Sequence, residues 1–137
     1  MPVSLFEERI LESPPRTVAV VEDDPSVRRS IERLLNAHGH QTYGYVSAET
    51  FLESDFAGTI DCLVLDIHLG DMSGIQLQRR LRDSSFVLPV IFVTAVDDAA
   101  LEAEAREAGC VAYLHKPFAA QQLLSAIDKA LTGPSVR

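Results

Sequence analysis

Apolar positions along this chain alternate between two patterns. Short β-favouring runs are each followed by a stretch whose apolar residues recur three or four positions apart. Thr17–Val21 is a continuous β-favouring run, the pattern of a strand buried on both faces. Asp24 and Pro25 then supply an N-cap and a proline at the first helical position. Val27, Ile31, Leu34 and Leu35 share one helical face, and Gly39 ends that helix. Gln41–Val46 alternates and is more polar, which suits an edge strand. Ser47 caps a short helix carrying Phe51 and Leu52. Strands are expected at Ile60–Leu65, Val90–Val93 and Val111–Leu114. Ser73 opens a helix with Leu77 and Leu81 toward the core, and Asp97 and Asp98 cap an Ala-rich helix ending at Gly109. The last helix sets Leu123, Leu124, Ile127 and Leu131 on one face, and Gly133 and Pro134 close it.

Five strand–helix units in a row predict an α/β fold, a doubly wound five-stranded parallel sheet with helices on both faces. The expected strand order is 2-1-3-4-5. Residues 1–15 read differently. Ser4 and Glu7 have capping-box spacing, Leu5, Phe6, Ile10 and Leu11 line one helical side, and Pro14 and Pro15 stop any helix. The expected organisation is an N-terminal extension over 1–15, one domain over 16–133 and a C-terminal tail over 134–137.

Composition narrows the class. At 137 residues the chain has the size of one domain, and with 47% hydrophobic residues it can build a core without staples. Its net charge of −8 argues against tracking nucleic-acid phosphates, so no direct nucleic-acid binding is expected. No apolar run approaches the length of a membrane span, and no basic-then-apolar leader opens the chain. Cys62 and Cys110 sit in apolar contexts and read as small buried hydrophobes, which suits a reducing cytoplasm.

The chemistry collects at the strand ends. Ligands of open α/β sheets bind beyond the carboxyl ends of the strands, where the order reverses. Glu22, Asp23 and Asp24 follow the first strand, Asp66 ends the third, Thr94 follows the fourth and Lys116 the fifth. Paired carboxylates suit a hard cation such as Mg2+. An aspartate is also a competent nucleophile toward phosphorus, and a cation with a lysine can neutralise phosphoryl oxygens.

In this order these segments resemble a response-regulator receiver domain of two-component signalling, over about residues 16–132. The carrying segments are the run ending in Glu22-Asp23-Asp24-Pro25, Leu63-Val-Leu-Asp66 through Gly74, Pro89 through Thr94-Ala95, and Tyr113-Leu-His-Lys116-Pro117-Phe118. The resemblance implies a flavodoxin-like topology. It implies that Asp66 accepts the phosphoryl group and that Asp23 and Asp66 ligate Mg2+, with Glu22 acting through water. It assigns the third protein ligand to the backbone carbonyl of His68, not to its imidazole. Thr94 corresponds to the switch hydroxyl, Tyr113 to the switch aromatic and Lys116 to the phosphate-binding lysine, with a cis Lys116–Pro117 bond. Gly70 stands where the family commonly has proline and should loosen that loop. His68 and Val96 occupy positions expected to set the phosphoryl lifetime.

The implied function is phosphorylation-dependent signalling. A sensor histidine kinase or phosphotransfer protein supplies the phosphoryl group, and the domain slowly catalyses transfer and hydrolysis. Thr94 is then drawn inward and Tyr113 turns inward behind it, remodelling the face of the fourth helix, fifth strand and fifth helix. That face is expected to bind a partner or a second copy. Two other classes compete. A haloacid-dehalogenase phosphatase wants a second aspartate where His68 stands, and a flavodoxin-like cofactor binder wants a phosphate-cradling loop where Glu22-Asp23-Asp24 stands. A receiver that is never phosphorylated is a third alternative, but no expected site group is missing.

Overall fold

The structure, a computed structural model, describes residues 16–54, 59–85 and 87–132. The expectations for residues 1–15, for the Gly133–Pro134 stop and for the C-terminal tail lie outside them. In chain order the elements are β1 (Thr17–Val21), α1 (Pro25–Ala37), β2 (Gln41–Tyr45), α2 (Ala48–Glu53) and β3 (Cys62–Asp66). They continue with α3 (Gly74–Asp83), β4 (Val90–Thr94), α4 (Ala99–Ala108), β5 (Ala112–His115) and α5 (Ala120–Thr132). The strands form one parallel sheet in the order β2-β1-β3-β4-β5.

Strand side chains alternate between the two faces of a sheet, and both faces here are apolar. Ala19, Val21, Leu63, Leu65 and Phe92 point to the side covered by Phe51 of α2, Leu77 and Leu81 of α3 and Ala105 and Ala108 of α4. Val18, Val20, Val64, Ile91 and Val93 point to the other side, under Ile31 and Leu35 of α1 and Leu123 and Ile127 of α5. Each such buried aliphatic side chain contributes about 1.5–3 kcal/mol. This two-sided burial explains why β1, β3 and β4 read as unbroken apolar runs. The edge strand β2 reads as mixed because most of its residues stay partly in water.

The helix starts follow the capping residues. Asp24 accepts the amides of Ser26 and Val27, with Pro25 opening α1. Ser47 accepts the Thr50 amide, and Ser73 with Gln76 forms a capping box at α3. Asp98 alone caps α4, accepting the Ala100 and Leu101 amides. Asp97 does not cap. Its carboxylate lies 3.8 Å from His115 Nε2. Four strands also differ from expectation by a residue or two: β2 ends at Tyr45, β4 runs on to Thr94, β3 spans Cys62–Asp66 and β5 spans Ala112–His115. β3 starts at Cys62 because Asp61 turns its side chain onto the Thr17 amide at 2.9 Å. β5 is displaced by one residue, since its pairing with β4 runs from Ile91 opposite Ala112 to Thr94 opposite His115. Cys62 is fully buried as expected, whereas Cys110 is only half-buried.

Candidate functional site

The topology brings the ends of β1, β3, β4 and β5 to one mouth. Parallel pairing sets β3 between β1 and β4, so Asp66 at the end of β3 has the β1 acids on one side and Thr94 on the other. Glu22 and Asp66 are 1% and 4% exposed and Thr94 is fully buried, while Asp23 is exposed. One carboxylate oxygen from each of Glu22, Asp23 and Asp66 lies within 4.8 Å of the others. Three hard oxygen donors at that spacing suit a cation that takes oxygen ligands.

Lys116 reaches into this cluster from the loop after β5. Its Nζ donates to Glu22 Oε1 at 2.5 Å and lies 3.4 Å from Asp66 Oδ2. The Lys116 amide donates to the Thr94 carbonyl at 2.7 Å, and the Lys116–Pro117 bond is cis. Glu22 has both oxygens engaged, the second accepting the Asp24 amide at 3.1 Å. Burial pushes the Glu22 carboxyl up to about 7, helped by the Asp66 charge and opposed by the hydrogen bonds from Lys116 and Asp24. For Lys116 burial favours the neutral amine, but the hydrogen bond to Glu22 and the Asp66 and Glu22 charges outweigh it and hold its pKa above the ordinary value.

The remaining expected groups are placed as follows. Asp66 Oδ1 accepts the His68 amide at 3.3 Å, and His68 is exposed. Thr94 Oγ1 accepts the Val96 amide at 3.1 Å. That uses an acceptor site of the hydroxyl and leaves its own hydrogen without a partner among the described residues. Tyr113 is buried, at 8% exposed. Its ring packs edge-on against His115 at 5.4 Å, with the Arg106 guanidinium 5.9 Å from its centroid. Its hydroxyl is buried with no hydrogen-bond partner among the described residues. Burial, followed by the charges of Glu102 and Asp98, raises the phenol's pKa.

Two features escaped the sequence reading, the close approach of Gly74 and the role of Arg28. A Cβ on Gly74, the first residue of α3, would lie 2.3 Å from the Asp66 carbonyl oxygen, so only glycine lets α3 start against the backbone of the acidic loop. The Gly74 amide also donates to the Ile67 carbonyl at 2.8 Å. Arg28, one turn into α1, donates Nη1 to the Glu22 carbonyl at 2.7 Å. Gly70 has φ +97°, and a proline ring holds φ near about −65°. The loop therefore follows a path that proline would exclude. A glycine directly after a capping serine was the available signal for Gly74, while nothing local marks Arg28.

A doubly wound parallel sheet with three carboxylates, a buried hydroxyl and a lysine gathered at the carboxyl ends of its strands defines an open α/β domain with an acidic site that could hold a cation. The comparisons give the family: residues 18–128 match the response regulator receiver domain, and the chain belongs to that family. It is 42% identical over 115 residues to the transcriptional regulatory protein TdiR of Thauera aromatica, covering 84% of this chain and 51% of that protein. It is 36% identical over 116 residues to the transcriptional regulatory protein FixJ of Rhizobium meliloti, covering 83% and 56%. Among solved structures, FixJ-N superposes with a TM-score of 0.80 at 33% identity, covering 91% of this chain and all of that one. The response regulator StyR superposes with a TM-score of 0.79 at 41% identity, covering 85% and 59%. The chain thus spans about half the length of the curated relatives it matches. Family membership sets aside the phosphatase and cofactor-binder alternatives. Among the described residues, no helix is long and apolar enough to cross a membrane.

Proposed function

We propose that this chain is a phosphoacceptor switch, in which Asp66 takes a phosphoryl group from a histidine kinase or phosphotransfer protein in a Mg2+-dependent reaction. The observation that carries the reading is the buried Asp66 carboxylate flanked by Lys116 and by the Glu22 and Asp23 oxygens. Asp66 and Asp23 would hold the cation directly, together with the His68 carbonyl. Glu22 would act through water, because both its oxygens are engaged by Lys116 and the Asp24 amide. When bound, Mg2+ supplies positive charge to phosphoryl oxygens and relieves the repulsion among the acids.

An Asp66 oxygen attacks the donor's phosphorus, a P–O bond forms, and the P–N bond to the donor imidazole breaks. The imidazole leaves with a proton. Lys116 gains phosphoryl oxygens as partners in exchange for part of its contact with Glu22. The Thr94 hydroxyl, whose hydrogen is not donated to any described residue, supplies a hydrogen bond to the new group. The added charge of roughly −2 draws Thr94 toward Asp66. Tyr113 would then turn inward into the space that Thr94 vacates. The face of α4, β5 and α5 then changes its affinity for a partner or a second copy. His68 and Val96 would set how fast water reaches the acyl phosphate. The role is regulatory, with slow self-catalysed transfer and hydrolysis, and the net charge of −8 supports a chain that does not itself grip nucleic acid. Residues 16–133 would form the receiver unit, with 1–15 and 134–137 as appendages, in the cytoplasm.

The test is intact mass after incubation with a small acyl phosphate, with and without Mg2+, for the wild type and Asp66→Asn. One Mg2+-dependent phosphoryl addition that disappears in the variant is expected. No addition, or an addition that persists in Asp66→Asn, overturns the reading.

A further inference from the structure

Asp23 is the least supported member of the acid cluster. Glu22 and Asp66 are buried, and both accept hydrogen bonds: Glu22 from Lys116 and the Asp24 amide, Asp66 from the His68 amide. The Asp23 carboxylate is exposed and makes no ion pair among the described residues. Its place is set through the backbone. The peptide plane before Asp23 holds the Glu22 carbonyl, which accepts from Arg28 Nη1 at 2.7 Å. The plane after it holds the Asp24 amide, which donates to Glu22 Oε2 at 3.1 Å. Arg28 reaches this point because of where α1 starts. Asp24 and Pro25 open the helix, the Arg28 amide donates to the Asp24 carbonyl at 2.9 Å, and this first turn brings the half-buried Arg28 back to the residue that follows β1. The guanidinium makes no ion pair among the described residues, so its contact in the site is with a carbonyl and not with a carboxylate.

We propose that Arg28 is a positioning residue for the cation, holding the Glu22–Asp23 peptide so that the Asp23 carboxylate keeps its place beside the Asp66 and Glu22 oxygens. This role rests on the reading of Glu22, Asp23 and Asp66 as a Mg2+ site. Arg28 acts on a cation in two ways of opposite sign. Its charge repels Mg2+, so electrostatics alone would make binding tighter once Arg28 is removed. Its hydrogen bond fixes the backbone of a ligand, and partners that orient metal ligands from behind are typically worth about 10–100-fold in metal affinity. The repulsion acts near the surface, where water and salt screen it. The bond is short and charge-assisted, the stronger kind. The hydrogen bond therefore outweighs the repulsion.

The opposite signs give a decisive test. Mg2+ is titrated into the unphosphorylated full chain, and affinity is read from backbone amide NMR shifts for wild type, Arg28→Met and Arg29→Met. Methionine keeps an unbranched stem and good helix propensity while removing the charge and the donor. Arg29 is the next residue, exposed and without an ion pair among the described residues. Arg29→Met thus removes the same charge from the same turn and leaves the bond to the Glu22 carbonyl in place. Arg28→Met is expected to bind Mg2+ about tenfold more weakly than the wild type, and Arg29→Met as tightly or more tightly. A merely structural role for Arg28 would lower Tm and leave Mg2+ affinity where it was. Equal or tighter binding in Arg28→Met overturns the inference, and so does an equal loss in Arg29→Met. A wild type that binds Mg2+ while Asp66 takes no phosphoryl group overturns the phosphoacceptor reading alone. A wild type that binds no Mg2+ overturns both.

Discussion

Gly74→Ala sets two physical effects against each other. In a helix interior alanine is favoured over glycine by up to about 1 kcal/mol, so propensity alone calls the substitution stabilising. The structure calls the opposite. The new Cβ would lie 2.3 Å from the Asp66 carbonyl oxygen and 3.1 Å from both the Asp66 carbonyl carbon and Ile67 Cα. All three are backbone atoms and cannot rotate aside. Overpacking of this kind costs about 1–3 kcal/mol or more, so the net loss is about 1–2 kcal/mol. At this chain length that lowers Tm by about 3–8 °C. Relief of the clash must also push the Asp66 loop away from α3, so the rate of phosphoryl uptake should fall with stability. Gly44→Ala is the matched control. Its Cβ would meet Glu32 Oε2 at 2.6 Å and Arg28 Cδ at 2.9 Å, parts of flexible side chains. It should change stability by no more than about 0.5 kcal/mol, as is usual for surface sites. Urea unfolding of both variants, with phosphorylation rates measured alongside, gives the comparison. If Gly74→Ala is as stable and as reactive as Gly44→Ala, the close approach is not a constraint and the argument fails.

Lys116→Ala leaves the Glu22 and Asp66 carboxylates facing each other without their cation. The loss should be about 3–5 kcal/mol at pH 8, shrink toward pH 5 as Glu22 takes up a proton, and be partly restored by Mg2+; a pH-independent loss in urea melts would contradict it. The Glu22 pKa, raised from 4.5 to about 7, fixes the sign of a second effect. Between those values the folded state holds a proton that the unfolded state has lost, so the Glu22 contribution to stability falls as pH rises through this window. The difference in unfolding free energy between metal-free wild type and Glu22→Gln should therefore shift against the wild type from pH 5 to pH 8, and a flat difference would refute the burial argument. Tyr113→Phe removes a buried hydroxyl that has no partner among the described residues while keeping the ring between His115 and Arg106. It should be neutral or stabilise by up to about 1 kcal/mol; a clear loss in the same melts would mean that the hydroxyl is satisfied in solution.

Local chemistry made most of the fold legible. Asp24 with Pro25, Ser47 and Ser73 mark helix starts because a cap acts over three or four residues. The β1, β3 and β4 runs show in the sequence because strands covered on both faces need apolar residues at every position. The strand ends pointed to Asp66, Thr94 and Lys116 because an open parallel sheet exposes its chemistry there. Cys110 shows the limit of such reading. An apolar neighbourhood in sequence suggested burial, yet the residue is only half-buried. What only the tertiary structure decided are relations between distant segments. Glu22 is buried against Lys116, 94 residues away, while its neighbour Asp23 stays exposed. Tyr113 is buried with an unpaired hydroxyl, and Gly74 touches the Asp66 backbone. Burial and approach are properties of the packed whole. A residue's neighbours in sequence fix its periodicity and its caps, but its dielectric surroundings and its steric room are set by whatever the fold brings against it.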